Sequence, residues 1–366
     1  MIRVLIVDDS VVVRQIVSDA LRGDPEIEVV GLAQNGKIAL EKIPTANPDV
    51  ITLDLEMPEM DGLATLTELR KRHPQLPVVV FSTLTERGAG ATLDALSRGA
   101  SDYVCKPSGQ RNVQSTMEKI RSELIPKIHA LYARKARVPR LPSAAEPTLG
   151  AGRASNIPVS LVVIAVSTGG PAALAEVIPK LPPGMRQPVL VVQHMPPVFT
   201  RVLAQRLAST SALPVREGTH QERIQPGHVL IAPGDHHMRI SGSPREAWIT
   251  LDKTPAENGC RPAADPLFQS ASQIYGAGVL AVVMTGLGRD GTKGAALVRK
   301  ASGQVWAQDE ASSIVWGMPR SVVEAGLAQR AIPLQQIARA IAEACKANSA
   351  TPGPGGSAPK VQKKGL

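Results

Sequence analysis

Two trains of short apolar runs, each run giving way to an amphipathic segment, are separated in this chain by a stretch of prolines and basic residues. The first train is Val4–Val7, Val29–Gly31, Val50–Leu53, Val78–Phe81 and Asp102–Val104. The second begins near Val159 and contains Leu161–Val166, Val189–Val192, Val229–Ile231 and Val279–Met284. Runs this short, bounded by polar or glycine residues and spaced by helical patterns, read as the buried strands of parallel sheets. Each train therefore predicts a doubly wound α/β domain, and in that architecture the working residues gather at the carboxyl ends of the strands. Between the trains, Pro126, Pro139, Pro142 and Pro147 stand among Arg134, Lys135, Arg137 and Arg140, which predicts a linker over about 132–157 and leaves room for a last helix of the first domain before it. The sequence predicts domains at 1–122 and 158–345, a linker assigned to 123–157, and a Gly-, Pro- and Lys-rich disordered tail over 346–366. A length of 366 residues suits two domains and a connector. Trp248–Leu251 is expected to pair with Met238–Ile240 across a turn at 241–244.

Aromatic residues make up only 2% of the chain, so both cores must be built from Val, Leu, Ile and Ala. The three cysteines, Cys105, Cys260 and Cys345, are widely spaced, form no Cys-x-x-Cys pair and read as buried or idle thiols. With no signal-like segment and no apolar run of membrane-spanning length, a cytoplasmic protein without membrane insertion is expected. The net charge of +9 raises the question of nucleic acid. Its distribution answers it, because the first 125 residues carry 14 basic against 18 acidic groups, whereas 126–157 carry 6 against 1 and 346–366 carry 4 against none. The excess sits in connector and tail, no helix-turn-helix pattern follows the first domain, and a nucleic-acid partner is not expected.

In the first domain Asp8 and Asp9 close the first strand, Asp54 closes the third and Lys106 follows the fifth. Carboxylates brought together this way repel unless a cation lies among them, and Mg²⁺ suits carboxylate, water and phosphate oxygens. An aspartate beside such an ion can accept a phosphoryl group, which makes Asp54 the candidate acceptor. The runs Val7-Asp8-Asp9-Ser10, Asp54-Leu55-Glu56-Met57-Pro58, Asp61-Gly62 and Lys106-Pro107 resemble a response-regulator receiver domain with a flavodoxin-like fold. That resemblance implies phosphorylation of Asp54 by a histidine kinase, with Mg²⁺ held by Asp8, Asp9, Asp54 and the backbone of Glu56. It also implies a switch through Ser82 and Tyr103, and contact of Lys106 with the phosphoryl group. It leaves open a cis Lys106-Pro107 bond.

In the second domain the first run ends in Ser167-Thr168-Gly169-Gly170, a turn that either cradles phosphate or presents a nucleophile. No lysine follows the glycines as in a P-loop, and the turn at Ser167 does not have the G-x-G-x-x-G form of a dinucleotide turn. A serine nucleophile needs a base and a group to orient that base. His194 ends the next run, before Met195-Pro196-Pro197, and Asp290 lies in the glycine-rich loop after Val279–Met284. Singly, the three have ordinary roles as a helix N-cap, a strand-end histidine and a turn former. Together they mark one sheet edge. His73, His129, His220 and His228 occupy ordinary connecting or helical contexts. The adjacent His236 and His237 point to opposite sides of a strand, so they suit a structural or supporting role better than a metal.

Ser167-Thr168-Gly169-Gly170, Gln193-His194-Met195-Pro196-Pro197, Ala232-Pro233-Gly234-Asp235 and Met284-Thr285-Gly286-Leu287-Gly288-Arg289-Asp290-Gly291 resemble the catalytic domain of chemotaxis protein-glutamate methylesterases. The resemblance, over about 1–345, implies a Rossmann-like three-layer α/β/α hydrolase joined to the receiver by the basic, Pro-containing linker. It implies a Ser167, His194, Asp290 triad acting on γ-glutamyl methyl esters, and on selected glutamines, of methyl-accepting chemotaxis receptors. No cofactor is implied for the ester reaction, and the backbone N–H groups of Thr168, Gly169 and Leu287 are the oxyanion candidates. The unphosphorylated receiver is expected to cover the Ser167 edge. Two other classes compete: a phosphorylation-controlled binding module with an inactive hydrolase domain, and a DNA-binding response regulator.

Overall fold

The structure is a computed structural model that describes residues 1–106, 113–136 and 157–346. The first domain runs β1 (Ile2–Val7), α1 (Val11–Leu21), β2 (Ile27–Ala33), α2 (Gly36–Ala46), β3 (Val50–Asp54), α3 (Gly62–Arg72), β4 (Val78–Ser82), α4 (Glu86–Ser97), β5 (Asp102–Cys105) and α5 (Val113–Ala136). Its five strands are parallel in the order β2-β1-β3-β4-β5, the flavodoxin-like arrangement. The helices start where they do for a local reason. Ser10, Asn35, Asp61 and Thr85 each accept, through the side chain, the N–H of the residue three positions on. Three of these caps follow directly on the loops at the carboxyl ends of β1, β2 and β4, while Asp61 closes the longer loop after β3.

The linker expectation needs correction at its start. α5 continues through Pro126 to Ala136, so residues 123–136 are helix rather than connector. Proline removes one N–H and crowds the preceding turn. Burial outweighs that cost, because Ile120, Leu124, Ile128 and Leu131 form a stripe that packs against Ile2, Val4, Val17 and Leu21. His129 also ties the helix down, with Nε2 2.9 Å from Asp24 Oδ2 and Nδ1 3.5 Å from Glu26 Oε2, an anchoring role that its helical context did not signal. The Lys106-Pro107 bond, residues 137–156 of the expected linker and the tail beyond Lys346 lie outside the described residues.

The second domain runs β6 (Leu161–Val166), α6 (Gly170–Val177), β7 (Val189–Gln193), α7 (Pro197–Thr210), β8 (Val215–Glu217), β9 (Val229–Ile231), β10 (His237–Ser243), β11 (Glu246–Asp252), α8 (Ala264–Tyr275), β12 (Val279–Val283), α9 (Thr292–Lys300), β13 (Gln304–Gln308), α10 (Met318–Glu324), β14 (Arg330–Ile332) and α11 (Leu334–Lys346). Seven parallel strands take the order β14-β13-β12-β6-β7-β9-β8. Along β6 the side chains alternate between two cores. Leu161, Val163 and Ala165 pack with Phe268 of α8 and Val298 of α9, whereas Val162, Ile164 and Val166 pack with Leu174 of α6, Phe199 of α7 and Ile341 of α11. Both sheet faces are thus covered, which makes three layers.

The expected β10–β11 pairing is present and antiparallel, with Met238 opposite Leu251 and Ile240 opposite Ile249. Its turn is tighter than the predicted 241–244, since Ser241, Gly242 and Ser243 are paired strand residues and only Pro244 and Arg245 connect the strands. Among the described residues no helix is long and apolar enough to cross a membrane.

The two domains meet along α4 and β5 of the first and the β6–α6 turn, α6 and α7 of the second, and Leu287, Ile314 and Val315 of the second join the first domain's core on the side that holds α5. Tyr103 stacks on Phe199 with ring centroids 4.9 Å apart and planes within 9°. Asp94 pairs with Arg206, and Glu86 lies 3.1 Å from Arg201. Thr168 Oγ1 donates to Asp102 Oδ2 at 2.8 Å in a buried contact that reaches the residue beside Ser167.

Candidate functional site

β6 ends at Val166 and β7 at Gln193, and these two residues are register partners, so Ser167 and His194 leave adjacent strands side by side. The Ser167 turn is held from three directions. Its N–H donates to Thr285 O at 3.0 Å, its carbonyl accepts Gly170 N–H at 2.7 Å, and the same carbonyl accepts Gln193 Nε2 at 3.0 Å. Thr285 Oγ1 donates to Thr168 O at 2.9 Å, and Gln308 Oε1 accepts Thr285 N–H at 2.9 Å. Gln193 and Thr285 stand in the quoted motifs without a role and Gln308 was not singled out, because a buried polar residue at a strand end has no periodic signature. Gly170 is required by contact: a Cβ there would lie 1.9 Å from Gln193 Oε1 and 2.8 Å from Val166 Cγ2. Gly170→Ala is expected to displace Gln193 and lower stability by about 1–3 kcal/mol. Urea denaturation checks this, and an unchanged midpoint would mean that Gln193 moves aside freely.

His194 is nearly buried, with a side-chain exposure of 10%. Its Nε2 lies 2.8 Å from Asp290 Oδ2. Burial works against the imidazolium, but the hydrogen bond to Asp290 and the neighbouring Cys260 thiol more than compensate, and the His194 pKa is raised. Burial likewise opposes the Asp290 carboxylate. The His194 bond and charge, with backbone N–H groups of Ala264 and Asp265 at the start of α8, hold its pKa below the ordinary value. Among the described residues no hydrogen bond joins Ser167 Oγ to His194, and the N–H groups of Thr168, Gly169 and Leu287 have no backbone acceptor. Such an arrangement offers a hydroxyl, a base with an ionised orienting group, and donors for an oxyanion. His236 and His237 serve structure: His237 is fully buried, faces Pro255 O and accepts the Ala263 N–H. Cys105 and Cys345 are buried as expected, whereas Cys260 is partly exposed and stands against the imidazole.

At the receiver edge, ligand oxygens of Asp8, Asp9 and Asp54 lie within 4.8 Å of one another. Lys106 Nζ is 2.7 Å from Asp54 Oδ2 and 3.2 Å from Asp8 Oδ2. Burial raises the Asp54 pKa, with the Asp8 charge adding to it and Lys106 opposing. For Lys106, burial is outweighed by the two carboxylates, and its pKa is raised. Ser82 Oγ lies 3.1 Å from Gly88 O and accepts from Thr92 Oγ1 at 2.5 Å, so it is engaged with α4. Tyr103 is packed into the domain interface, where Lys127 donates to its carbonyl at 2.6 Å and sits 5.2 Å from its ring centroid.

The family model described as CheB methylesterase matches residues 162–341, and that of the response regulator receiver domain matches 4–118. A protein-glutamate methylesterase/protein-glutamine glutaminase from Trichodesmium erythraeum is 47% identical over 343 residues, covering 93% of this chain and 97% of the relative. The chain belongs to the CheB methylesterase family. A relative of the same name from Nocardioides is 48% identical, covering 92% of this chain and 93% of its own length. The solved Thermotoga maritima CheB methylesterase catalytic domain is 44% identical with a TM-score of 0.50, covering 51% of this chain and 99% of that domain. As a CheB-family chain it is a hydrolase with methylesterase and glutaminase activities and a response-regulator receiver in front.

Proposed function

We propose that this chain hydrolyses glutamate γ-methyl esters, and deamidates selected glutamines, on methyl-accepting chemotaxis receptors, with Ser167, His194 and Asp290 as its catalytic triad and phosphorylation of Asp54 as its control. The observation that carries the reading is the hydrogen-bonded His194–Asp290 pair at the strand end next to Ser167. Because Nε2 faces Asp290, Nδ1 is the nitrogen that serves the serine. Ser167 Oγ turns toward it in the substrate complex, where catalytic hydrogen bonds tighten. Ser167 attacks the ester carbonyl as His194 takes its proton. The resulting oxyanion falls to the N–H groups of Thr168, Gly169 and Leu287, one such donor being worth roughly 10²–10³ in rate. His194 returns the proton to the departing methoxide and methanol leaves. Water then attacks the acyl-enzyme, giving its proton to His194, and the glutamate carboxyl and Ser167 are regenerated. With a glutamine, ammonia leaves instead.

In the receiver, three carboxylates with oxygens within 4.8 Å are a donor set fitted to a divalent ion. Asp8, Asp9, Asp54 and the Glu56 backbone would hold Mg²⁺, which when bound neutralises charge during phosphoryl transfer from a histidine kinase. Asp54 accepts the phosphoryl group, and Lys106 keeps its charge beside it. Ser82 must leave Gly88 O to reach the new anion. That movement disturbs α4, which carries the Glu86 and Asp94 partners of Arg201 and Arg206. Tyr103 and Asp102 lie on the neighbouring strand and touch Phe199 and Thr168, so a shift there uncovers the Ser167 edge. Methanol release from methylated receptor membranes, measured with and without a small phosphodonor, tests the reading. Wild type is expected to be stimulated about 5–150-fold, the usual range of such coupling, and Asp54→Asn not at all. Equal stimulation of both would refute control through Asp54.

A further inference from the structure

One short turn touches both members of the His194–Asp290 pair. Glu257 to Cys260 close on each other through reciprocal backbone bonds, Glu257 N–H to Cys260 O at 3.1 Å and Cys260 N–H to Glu257 O at 2.9 Å. The two central residues, Asn258 and Gly259, have φ of 52° and 76°. An Asn-Gly pair suits such a turn for backbone reasons alone. Backbone reasons do not say where the amide goes. Asn258 Nδ2 donates to Asp290 Oδ1 at 3.0 Å and to Asp265 Oδ2 at 3.0 Å, one hydrogen to each carboxylate.

These carboxylates are 2% and 5% exposed, and the amide lies between them. On Asp290, Oδ2 takes His194 Nε2 at 2.8 Å and the Ala264 N–H at 2.6 Å, while Oδ1 takes the Asp265 N–H at 3.3 Å in addition to Asn258. On Asp265, Oδ1 takes the Gly294 N–H at 2.7 Å. Burial, aided by the Asp290 charge, raises the Asp265 pKa, whereas Asp290 is lowered by its hydrogen bonds despite burial. Of the contacts to Asp290 Oδ1, the Asn258 amide is the shorter. Without it, that oxygen keeps one long backbone bond and faces a second carboxylate with no donor between them.

We propose that Asn258 is a positioning residue of the hydrolase, its amide fixing the Asp290 carboxylate plane against His194 while separating Asp290 from Asp265. The inference rests on the triad reading above. Outer partners that orient metal ligands typically change affinity or activity about 10–100-fold when removed, and a loss of the same order is expected for a partner that orients Asp290. Two full-length variants separate the amide from the turn. Asn258→Gly keeps the left-handed backbone and loses the amide; Asn258→Asp keeps the shape but replaces two donors with a third carboxylate.

Three readouts are combined: kcat and KM for receptor methyl esters across pH, thermal unfolding, and the downfield NMR signal of the His194 proton shared with Asp290, assigned by its loss in His194→Gln. Both variants are expected to lower kcat about 10–100-fold with KM within about twofold. In Asn258→Asp the acid limb of kcat/KM moves to higher pH, because added negative charge holds the proton on His194 and the base must be neutral to act. The bridging proton signal shifts or broadens in both. An unmoved signal with wild-type kcat and acid limb in folded Asn258→Gly overturns the proposal, and so does a loss explained wholly by unfolding. If Asn258→Asp does not fold, Asn258→Gly decides. A Ser167→Ala variant run alongside separates the two ideas: full turnover without Ser167 defeats the triad reading, and the NMR signal still reports whether Asn258 orients the pair.

Discussion

Ser167→Ala is expected to reduce methanol release from methylated receptors by at least about 10³-fold while receptor binding changes little, since removal of a triad nucleophile takes away an interaction made in the transition state. No neighbour can replace it. The adjacent hydroxyl, on Thr168, is buried and donates to Asp102, and its carbonyl is held by Thr285. His194→Gln should cost a similar factor, and the double variant little more, because the three groups act as a unit. Thermal unfolding near wild type should accompany these losses, as Ser167 contributes backbone rather than side-chain bonds to its turn. Wild-type methanol release from Ser167→Ala would remove the serine from the chemistry, whereas no release above background from either protein would favour a hydrolase domain used only for binding. Loss of turnover together with retained receptor binding would exclude that module.

The placement of the site was legible because α/β architecture turns strand ends into addresses. Once Leu161–Val166, Val189–Val192 and Val279–Met284 read as parallel strands, Ser167, His194 and Asp290 had to share an edge, and β12-β6-β7 are neighbours in the sheet. The three-residue strands were mixed in outcome. Val229–Ile231 is fully buried and gave an apolar signal, whereas Val215–Glu217 and Arg330–Ile332 are outer strands with partly exposed polar residues and gave none. Gln304–Gln308 was hidden by its terminal glutamines, one of which supports Thr285. The end of α5 was not legible because Pro126 reads as a breaker, and only the packing of Leu124, Ile128 and Leu131 explains its continuation to Ala136. Asn258 was invisible for another reason. Asn-Gly already accounts for itself as a turn, so the second use of its amide appears only when the fold brings Asp265 and Asp290 beside it.

Removing the Asp102 carboxylate should raise the activity of the unphosphorylated chain. Asp102 Oδ2 accepts both Thr168 Oγ1 at 2.8 Å and Lys127 Nζ at 2.9 Å, and the residue is 3% exposed. In a separated arrangement Asp102 and Thr168 each regain water, so the bond between them favours only the closed one. A buried hydrogen bond to a charged group contributes about 1.5–3 kcal/mol. Part of that is offset by solvation on opening, and a shift of about 1–2 kcal/mol toward the open arrangement corresponds to about 5–30-fold in population. Asp102→Ala in an Asp54→Asn background, which excludes phosphorylation, should therefore release methanol about 5–30-fold faster than Asp54→Asn alone. Arg201→Ala is expected to do much less, because its pairing with Glu86 is exposed on both sides and such pairs contribute about 0–1 kcal/mol. Tyr103→Ala offers an independent approach, since it removes the ring stacked on Phe199 without touching Thr168. Basal rates unchanged in both Asp102→Ala and Tyr103→Ala would mean that the contact made by β5 does not restrain the Ser167 edge, and control would then have to act through α4 and its ion pairs or through Leu287, Ile314 and Val315, which pack with the first domain's core.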